Sequence, residues 1–292
     1  MTFSKWIDKN TKSLSGKTVA VTGSTGGLGL ELCDFLASLG ADLVLLDRNL
    51  EKSLAHKKML EEKWGVSVLC IRTDLSDFNS VRETTVSLAD IKPDVFIHNA
   101  GAYDIPRYKT DIGYDNVFQI NFLSPYYMIT SLLPVFREKK TRVVAVSSIA
   151  HNYSKIDECD IDFSTRHKAS KVYGNAKRFL TFALFSLFER EEDTTLSIVH
   201  PGISFTGITD HYPKLIFALI KHPMKVIFEK PKKACLSIVK GVFEKTETCE
   251  WIGPRLFNVW GFPKKMRLKT ASEEEIKKID EISHRIISKI KA

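Results

Sequence analysis

One short stretch constrains this chain more than any other. An apolar run, Lys17-Thr-Val-Ala-Val21, leads into Thr22-Gly23-Ser24-Thr25-Gly26-Gly27-Leu28-Gly29. An amphipathic run, Leu30-Glu-Leu-Cys-Asp-Phe-Leu-Ala-Ser-Leu39, follows it. The order reads as strand, glycine turn and helix. Such a turn gathers backbone N–H groups and the positive end of a helix at one spot, which suits a pyrophosphate. Glycine is required because a Cβ would block both the tight turn and close approach of the phosphate. Gly23, Ser24, Thr25, Gly27, Leu28 and Gly29 are therefore candidate cofactor contacts.

The pattern then repeats. Candidate strands are Thr18–Thr22, Asp42–Leu46, Val66–Ile71, Val95–His98, Arg142–Ser147 and Leu196–His200. Candidate helices between them are Gly27–Leu39, Leu50–Trp64, Ser76–Asp90, Asp111–Arg137 and Ala169–Arg190. Nearly all-apolar strands separated by helices predict a parallel sheet covered on both faces. The expected fold is α/β, a Rossmann-like doubly wound sheet. No linker, repeat or low-complexity tract interrupts it, so one domain over residues 1–292 is expected. Beyond residue 200 the text turns apolar, aromatic and basic, broken by prolines, and reads as a helical lid at about 204–230. A helix over 232–244, a short strand near Trp251 and a charged helix over Ser272–Lys289 are expected after it. The last of these lies in a C-terminal extension of about 255–292.

Composition narrows the classes. Apolar residues make up 43% and charged residues 27% of the chain, ordinary for a globular protein. The formal net charge is +8 with pI near 9.1, but the basic residues are spread out. No reading motif accompanies the charge, so no nucleic acid partner is expected. Five cysteines, an odd count without close pairs, fit neither a disulfide framework nor a zinc site. Reduced thiols and a cytoplasmic setting are expected, with no metal. The first residues lack the apolar core of a signal peptide. No segment reaches the roughly 18 apolar residues of a spanning helix.

Five further features carry chemistry. Asp47 ends the second strand, 24 residues beyond Gly23 (position 23 to 47). A carboxylate there accepts from adenosine ribose hydroxyls and repels a 2′-phosphate, which favours NAD. Arg48 follows at once and could instead hold that phosphate, which leaves NADP open. Asp74-Leu75 follows the third strand, where a carboxylate could meet the adenine amino group or cap the next helix, as Ser76 also could. Asn99-Ala100-Gly101 ends the fourth strand and leaves room for a flat ring or ribose. Ser148 ends the fifth strand, at the edge where open α/β sheets bind ligands. Tyr173 and Lys177 stand four apart on a helix, so they share one face. A free tyrosine titrates near 10, and a neighbouring ammonium lowers that by about 1–3 units. The pair can then work as an acid/base.

Together these residues resemble the short-chain dehydrogenase/reductase family. The likeness runs from about Lys17 to Thr206. Thr22–Gly29 is similar to its Thr-Gly-x3-Gly-x-Gly, and His98-Asn-Ala-Gly101 to its Asn-Asn-Ala-Gly, with His for the first Asn. The resemblance implies that Asn121, Ser148, Tyr173 and Lys177 are catalytic, with Asn121 anchoring a relay water. It implies that Pro201, Gly202 and Thr206 hold the nicotinamide carboxamide. The gap from Ser148 to Tyr173 and the text Arg142-Val-Val-Ala-Val-Ser-Ser-Ile-Ala-His151 resemble the retinol-dehydrogenase-like branch. Ala176 departs from the serine common before the lysine, and Asp47 from the neutral residue common in that branch.

The function implied is NAD(P)-dependent interconversion of a hydrophobic alcohol and its ketone or aldehyde, with a steroid-, retinoid- or long-chain-like substrate. Tyr103, Tyr153 and Tyr212 are candidate pocket aromatics. The alternative is a non-catalytic NAD(P)-binding scaffold on the same fold. The lid could cover substrate, pack on the core, or touch a membrane surface through Lys214, Lys221 and Lys225. A homodimer or homotetramer is compatible with the apolar run Phe179–Phe188.

Overall fold

A computed structural model describes residues 2–202, 231–268 and 270–291. Its strands are β1 (Thr18–Thr22), β2 (Asp42–Asp47), β3 (Val68–Arg72), β4 (Val95–His98), β5 (Arg142–Val146), β6 (Thr195–Val199), β7 (Glu250–Leu256) and β8 (Trp260–Arg267). They form one sheet ordered β3-β2-β1-β4-β5-β6-β7-β8. The first seven run parallel, and β8 returns antiparallel to β7. The order reverses between β1 and β4, and such a switch point opens a crevice at the carboxyl ends of the strands.

The doubly wound sheet explains the strand composition. Val19 and Val21 of β1, with Leu43 and Leu45 of β2, pack into one core cluster. Ala20, Val44 and Leu46, the alternate positions, pack into the other. Successive side chains point to opposite faces, and both faces are covered, so no polar alternation survives.

The helices are α1 (Phe3–Asn10), α2 (Gly27–Ser38), α3 (Leu50–Trp64), α4 (Phe78–Ile91), α5 (Asn116–Phe118), α6 (Ser124–Lys139), α7 (Ala169–Phe188), α8 (Pro231–Ala234), α9 (Leu236–Phe243) and α10 (Glu273–Lys291). Helix α7 is buried on nearly every side. Its Phe179 meets Phe118 and Phe122 with ring centroids 5.2 and 5.1 Å apart. The apolar run Phe179–Phe188 thus fills this chain's own core.

Several boundaries differ from expectation for local reasons. The helix expected from Asp111 begins at Asn116, because Asp115 caps it by accepting from Val117 N and Phe118 N. Residues 110–114 form a turn closed by Thr110 N donating to Tyr114 O. Between α5 and α6 the chain widens to a π-turn, Gln119–Leu123, where Ser124 N reaches back to Gln119 O. Helix α4 starts after Asp77, which accepts from Asn79 N and Ser80 N. Neither Asp74 nor Ser76 is its cap. Strand β8 and helix α1 were not expected. The lid of about 204–230 lies outside the described residues. No helix among the described residues is long and apolar enough to cross a membrane.

Candidate active site

The glycine turn comes off β1 at the switch point. Gly23 has φ +69, and a Cβ on it would stand 2.9 Å from Ala100 Cα. A Cβ on Gly29 would stand 2.1 Å from Gly23 O and 2.8 Å from Ser24 Cα. Both contacts are to backbone, so this part of the cradle tolerates only glycine. Gly26 is the N-cap of α2 and brings no side-chain cap to its first N–H groups. An anion is the natural partner for such a helix start. Gly27 and Leu28 are half-buried in that first turn, and Ser24 is fully buried beneath it.

Thr22 organises the adjoining strand end. Its Oγ1 accepts from Asn99 N and Ala100 N, both at 3.0 Å. A hydroxyl has two acceptor lone pairs and one proton, so that proton goes to His98 Nδ1, 3.2 Å away. Nε2 then carries the ring proton. Burial pushes the His98 pKa well below its ordinary value, so the ring is neutral. This is how histidine fills a position where the family pattern has asparagine. Asn99 Nδ2 donates to Thr22 O and Gly23 O, while its buried Oδ1 has no hydrogen-bond partner among the described residues.

Asp47 is held from within the chain by the glycine turn and the first turn of α3. It is 2% exposed. Oδ2 accepts from Ser24 Oγ at 2.5 Å and Ser53 Oγ at 3.0 Å; Oδ1 accepts from Thr25 N and Thr25 Oγ1, both at 3.1 Å. Four donors match the roughly four lone-pair sites of a carboxylate. Arg48, the next residue, is exposed. Asp74 Oδ1 accepts from Ser76 N and Ser76 Oγ at 2.9 and 2.7 Å, closing the turn before α4. Leu75 O accepts from Gln119 Nε2 and Ser124 Oγ, which ties this turn to the π-turn.

Beside the cradle stand Asn121, Ser148, Tyr173 and Lys177. Asn121, on the π-turn, donates through Nδ2 to Ala102 O and Val117 O and accepts from Ala102 N. A Cβ on Gly101 would lie 2.9 Å from Asn121 Oδ1 and 3.6 Å from Lys177 Nζ, so Gly101 lets the two side chains share one space. Lys177 is buried and donates from Nζ to Val146 O at 2.8 Å. The Ser148 side chain stands near enough to Tyr173 to favour its ionised form. Its ring lies edge-on to Tyr103, centroids 5.3 Å apart, with Lys177 Nζ 5.7 Å from the ring centroid. Gly174 packs against Ala150 O, fixing α7 to the turn after Ser148. Pro201 and Gly202 lie where β6 ends. A Cβ on Gly202 would meet Val259 O at 2.8 Å. Thr206 and Tyr212 lie outside the described residues.

The electrostatics correct one expectation. Lys177 does not lower the Tyr173 pKa in this geometry. Burial pushes Tyr173 up to about 12, and the nearby Ser148 side chain offsets only part of that. Burial also pushes Lys177 down to about 7 from 10.5, so much of its charge is gone at neutral pH. Desolvation wins because both groups lie inside the protein. A depressed lysine pKa means the folded state binds the proton more weakly than the unfolded chain. Stability should therefore rise with pH between about 7 and 10.5, and this contribution should be flat below 7. Melting of cofactor-free protein from pH 7 to 9.5 checks this; a Lys177→Met variant should show a shallower slope.

Sequence reasoning missed Ser53 and Gln119, which support the site from behind. Thr22 and His98 were visible as parts of the glycine and Asn-Ala-Gly motifs, but not their contact with each other.

Comparison with known proteins agrees with this fold. The family described as short chain dehydrogenase matches residues 17–159. An uncharacterised oxidoreductase of Schizosaccharomyces pombe is 31% identical over 74% of this chain and 69% of its own length. Retinol dehydrogenase 13 of Homo sapiens is 29% identical over 68% of this chain; the match spans only 62% of that relative's length. A solved structure of an uncharacterised Mycobacterium paratuberculosis protein superposes with TM-score 0.76 at 22% identity, covering 96% of each chain. An L-sorbose reductase of Gluconobacter frateurii, solved with NADPH and L-sorbose, gives TM-score 0.61 at 20% identity over 80% and 91% of the two chains. The chain belongs to the short-chain dehydrogenase/reductase family of oxidoreductases, in its retinol-dehydrogenase-like branch.

Proposed function

We propose that the protein interconverts a hydrophobic alcohol and its ketone or aldehyde with a nicotinamide dinucleotide. The observation that carries this is the grouping of Ser148, Tyr173, Lys177 and Asn121 beside an uncapped glycine cradle. The cradle fits a dinucleotide on three counts: α2 offers first-turn N–H groups, glycines clear the approach, and Asn99 keeps a buried oxygen without a partner among the described residues. Gly23, Ser24, Thr25, Gly27, Leu28 and Gly29 would hold the pyrophosphate side, Asp74 and Leu75 the adenine side. Asn99, Ala100, Gly101, Pro201, Gly202, Tyr173 and Lys177 would hold the nicotinamide half. The bound nicotinamide supplies or accepts the hydride.

Tyr173 and Ser148 direct their hydroxyls at the substrate oxygen. With its pKa pushed to about 12, Tyr173 keeps its proton at neutral pH and donates it as a carbonyl oxygen gains charge. Reduction should therefore hold through neutral pH, while oxidation, which needs Tyr173 to take a proton, should climb as pH rises. Opposite trends with pH would count against this assignment. Tyr103 presents an aromatic face beside Tyr173, which supports a hydrophobic substrate, as do relatives named for retinol.

Asp47 supports NADP over the NAD its sequence position favours. Its four internal donors leave no acceptor site for a ribose hydroxyl, and exposed Arg48 stands ready for a 2′-phosphate. Steady-state kinetics with NADP and NAD over steroid, retinoid and fatty-alcohol substrates tests both readings. Arg48→Ala should cost about 10–100-fold in kcat/KM with NADP, the worth of a charge-assisted bond, and little with NAD. No turnover with either cofactor across the panel would favour the scaffold alternative.

A further inference from the structure

The C-terminal segment connects to the active site through Thr270 and Glu275. Arg178, one residue beyond Lys177 on α7, has a side chain only 2% exposed. Its Nε and Nη2 clasp both carboxylate oxygens of Glu275, at 2.7 and 2.6 Å, in the first turn of α10. Nη2 also donates to Thr270 O at 2.6 Å, and Nη1 to His151 O at 2.9 Å. His151 belongs to the 3-10 turn Ile149–Asn152 that directly follows Ser148.

His151 closes the circuit. Its Nδ1 lies 2.6 Å from Ser148 O, a carbonyl that only accepts, so Nδ1 carries the proton. Nε2 then accepts from Thr270 Oγ1 at 3.0 Å. Burial pushes the ring down to about 4, so it stays neutral and keeps this tautomer. Trp251 of β7 stands edge-on to it, centroids 5.4 Å apart. The turn after Ser148 is thus gripped at Ser148 O and at His151 O by groups that lead to the C-terminal segment.

We propose that Thr270 and Glu275 are positioning residues: through His151 and Arg178 they hold the Ser148 turn in register with Tyr173. This rests on the catalytic reading of Ser148 and Tyr173 given above. An ion pair alone could be merely structural. The distinguishing point is that both arms end on backbone oxygens of the very turn that carries the Ser148 hydroxyl, and on no other element's catalytic group.

The test separates positioning from folding. Replacing a buried pair by apolar groups of similar volume is often neutral for stability, so Arg178→Met with Glu275→Met should still fold. Thr270→Val keeps shape and loses the hydroxyl; Thr270→Ser restores it. Expected for the double variant is a kcat about 10–100-fold lower, the scale of a misplacement near 1 Å, with KM and NADPH affinity by fluorescence within about threefold. Thr270→Val should lose less, and Thr270→Ser should recover it. Exposed Glu274→Gln should leave kcat unchanged. Wild-type kcat in a folded double variant overturns the proposal. Should the wild type turn over no substrate with either cofactor, the catalytic reading fails separately. Amide exchange at Ala150 and Tyr153 then still decides the clamp: faster exchange in the double variant supports it, and unchanged exchange overturns it.

Discussion

Tyr173→Phe should lower kcat by about 10²–10⁴-fold, the usual worth of a positioned acid/base. The substitution removes one oxygen and keeps the ring. Phenylalanine can still lie edge-on to Tyr103 and beneath Lys177 Nζ, so packing on both sides persists. What disappears is the hydroxyl beside Ser148. Affinity for NADPH should stay within about threefold, because the glycine cradle and Lys177 are untouched. Melting should shift little, since Ser148 Oγ retains Ala150 N as a donor at 3.2 Å. Stopped-flow turnover alongside fluorescence titration separates these quantities. A kcat within tenfold of wild type would remove Tyr173 from the reaction.

Gly29→Ala should strike the cradle itself. A Cβ there would lie 2.1 Å from Gly23 O and 2.9 Å from Ser24 C. No flexible side chain is present to give way, so α2 must move off β1. Overpacking costs about 1–3 kcal/mol, and this contact falls at the upper end. A loss near 3 kcal/mol lowers Tm by about 5 °C in a chain of this size. The first turn of α2 shifts with it, so NADPH affinity should fall more than tenfold. Gly26→Ala is the control for stability: its Cβ would meet only Gly23 O, at 3.6 Å, with an ordinary φ of −76. A Gly29→Ala protein with wild-type melting and NADPH affinity would refute the close-approach account.

Much of this was legible along the chain because the physics is local. Strand and helix periods, Gly23 and Gly29 in the turn, and the four-residue spacing of Tyr173 and Lys177 depend on near neighbours. The α/β fold follows from alternation that every residue from 17 to about 200 supports. Helix starts were less legible, since Asp74, Ser76 and Asp77 are all plausible caps and only the path of the chain selects Asp77. Strand β8 was hidden because its text, Trp260-Gly-Phe-Pro-Lys-Lys-Met-Arg267, carries a proline and four charges or glycines that suit only a sheet edge.

By itself, then, the sequence determined the nucleotide-type sheet, its glycine turn and the set Asn121, Ser148, Tyr173 and Lys177. The tertiary structure alone decided how those groups are charged and held. Burial from all sides raises Tyr173 and lowers Lys177, against the mutual attraction that their spacing suggests. Folding also spends the Asp47 carboxylate on Ser24, Thr25 and Ser53, and carries Glu275 across 97 positions to Arg178. Desolvation and long-range hydrogen bonding depend on what surrounds a group in space, and no spacing along the chain encodes that.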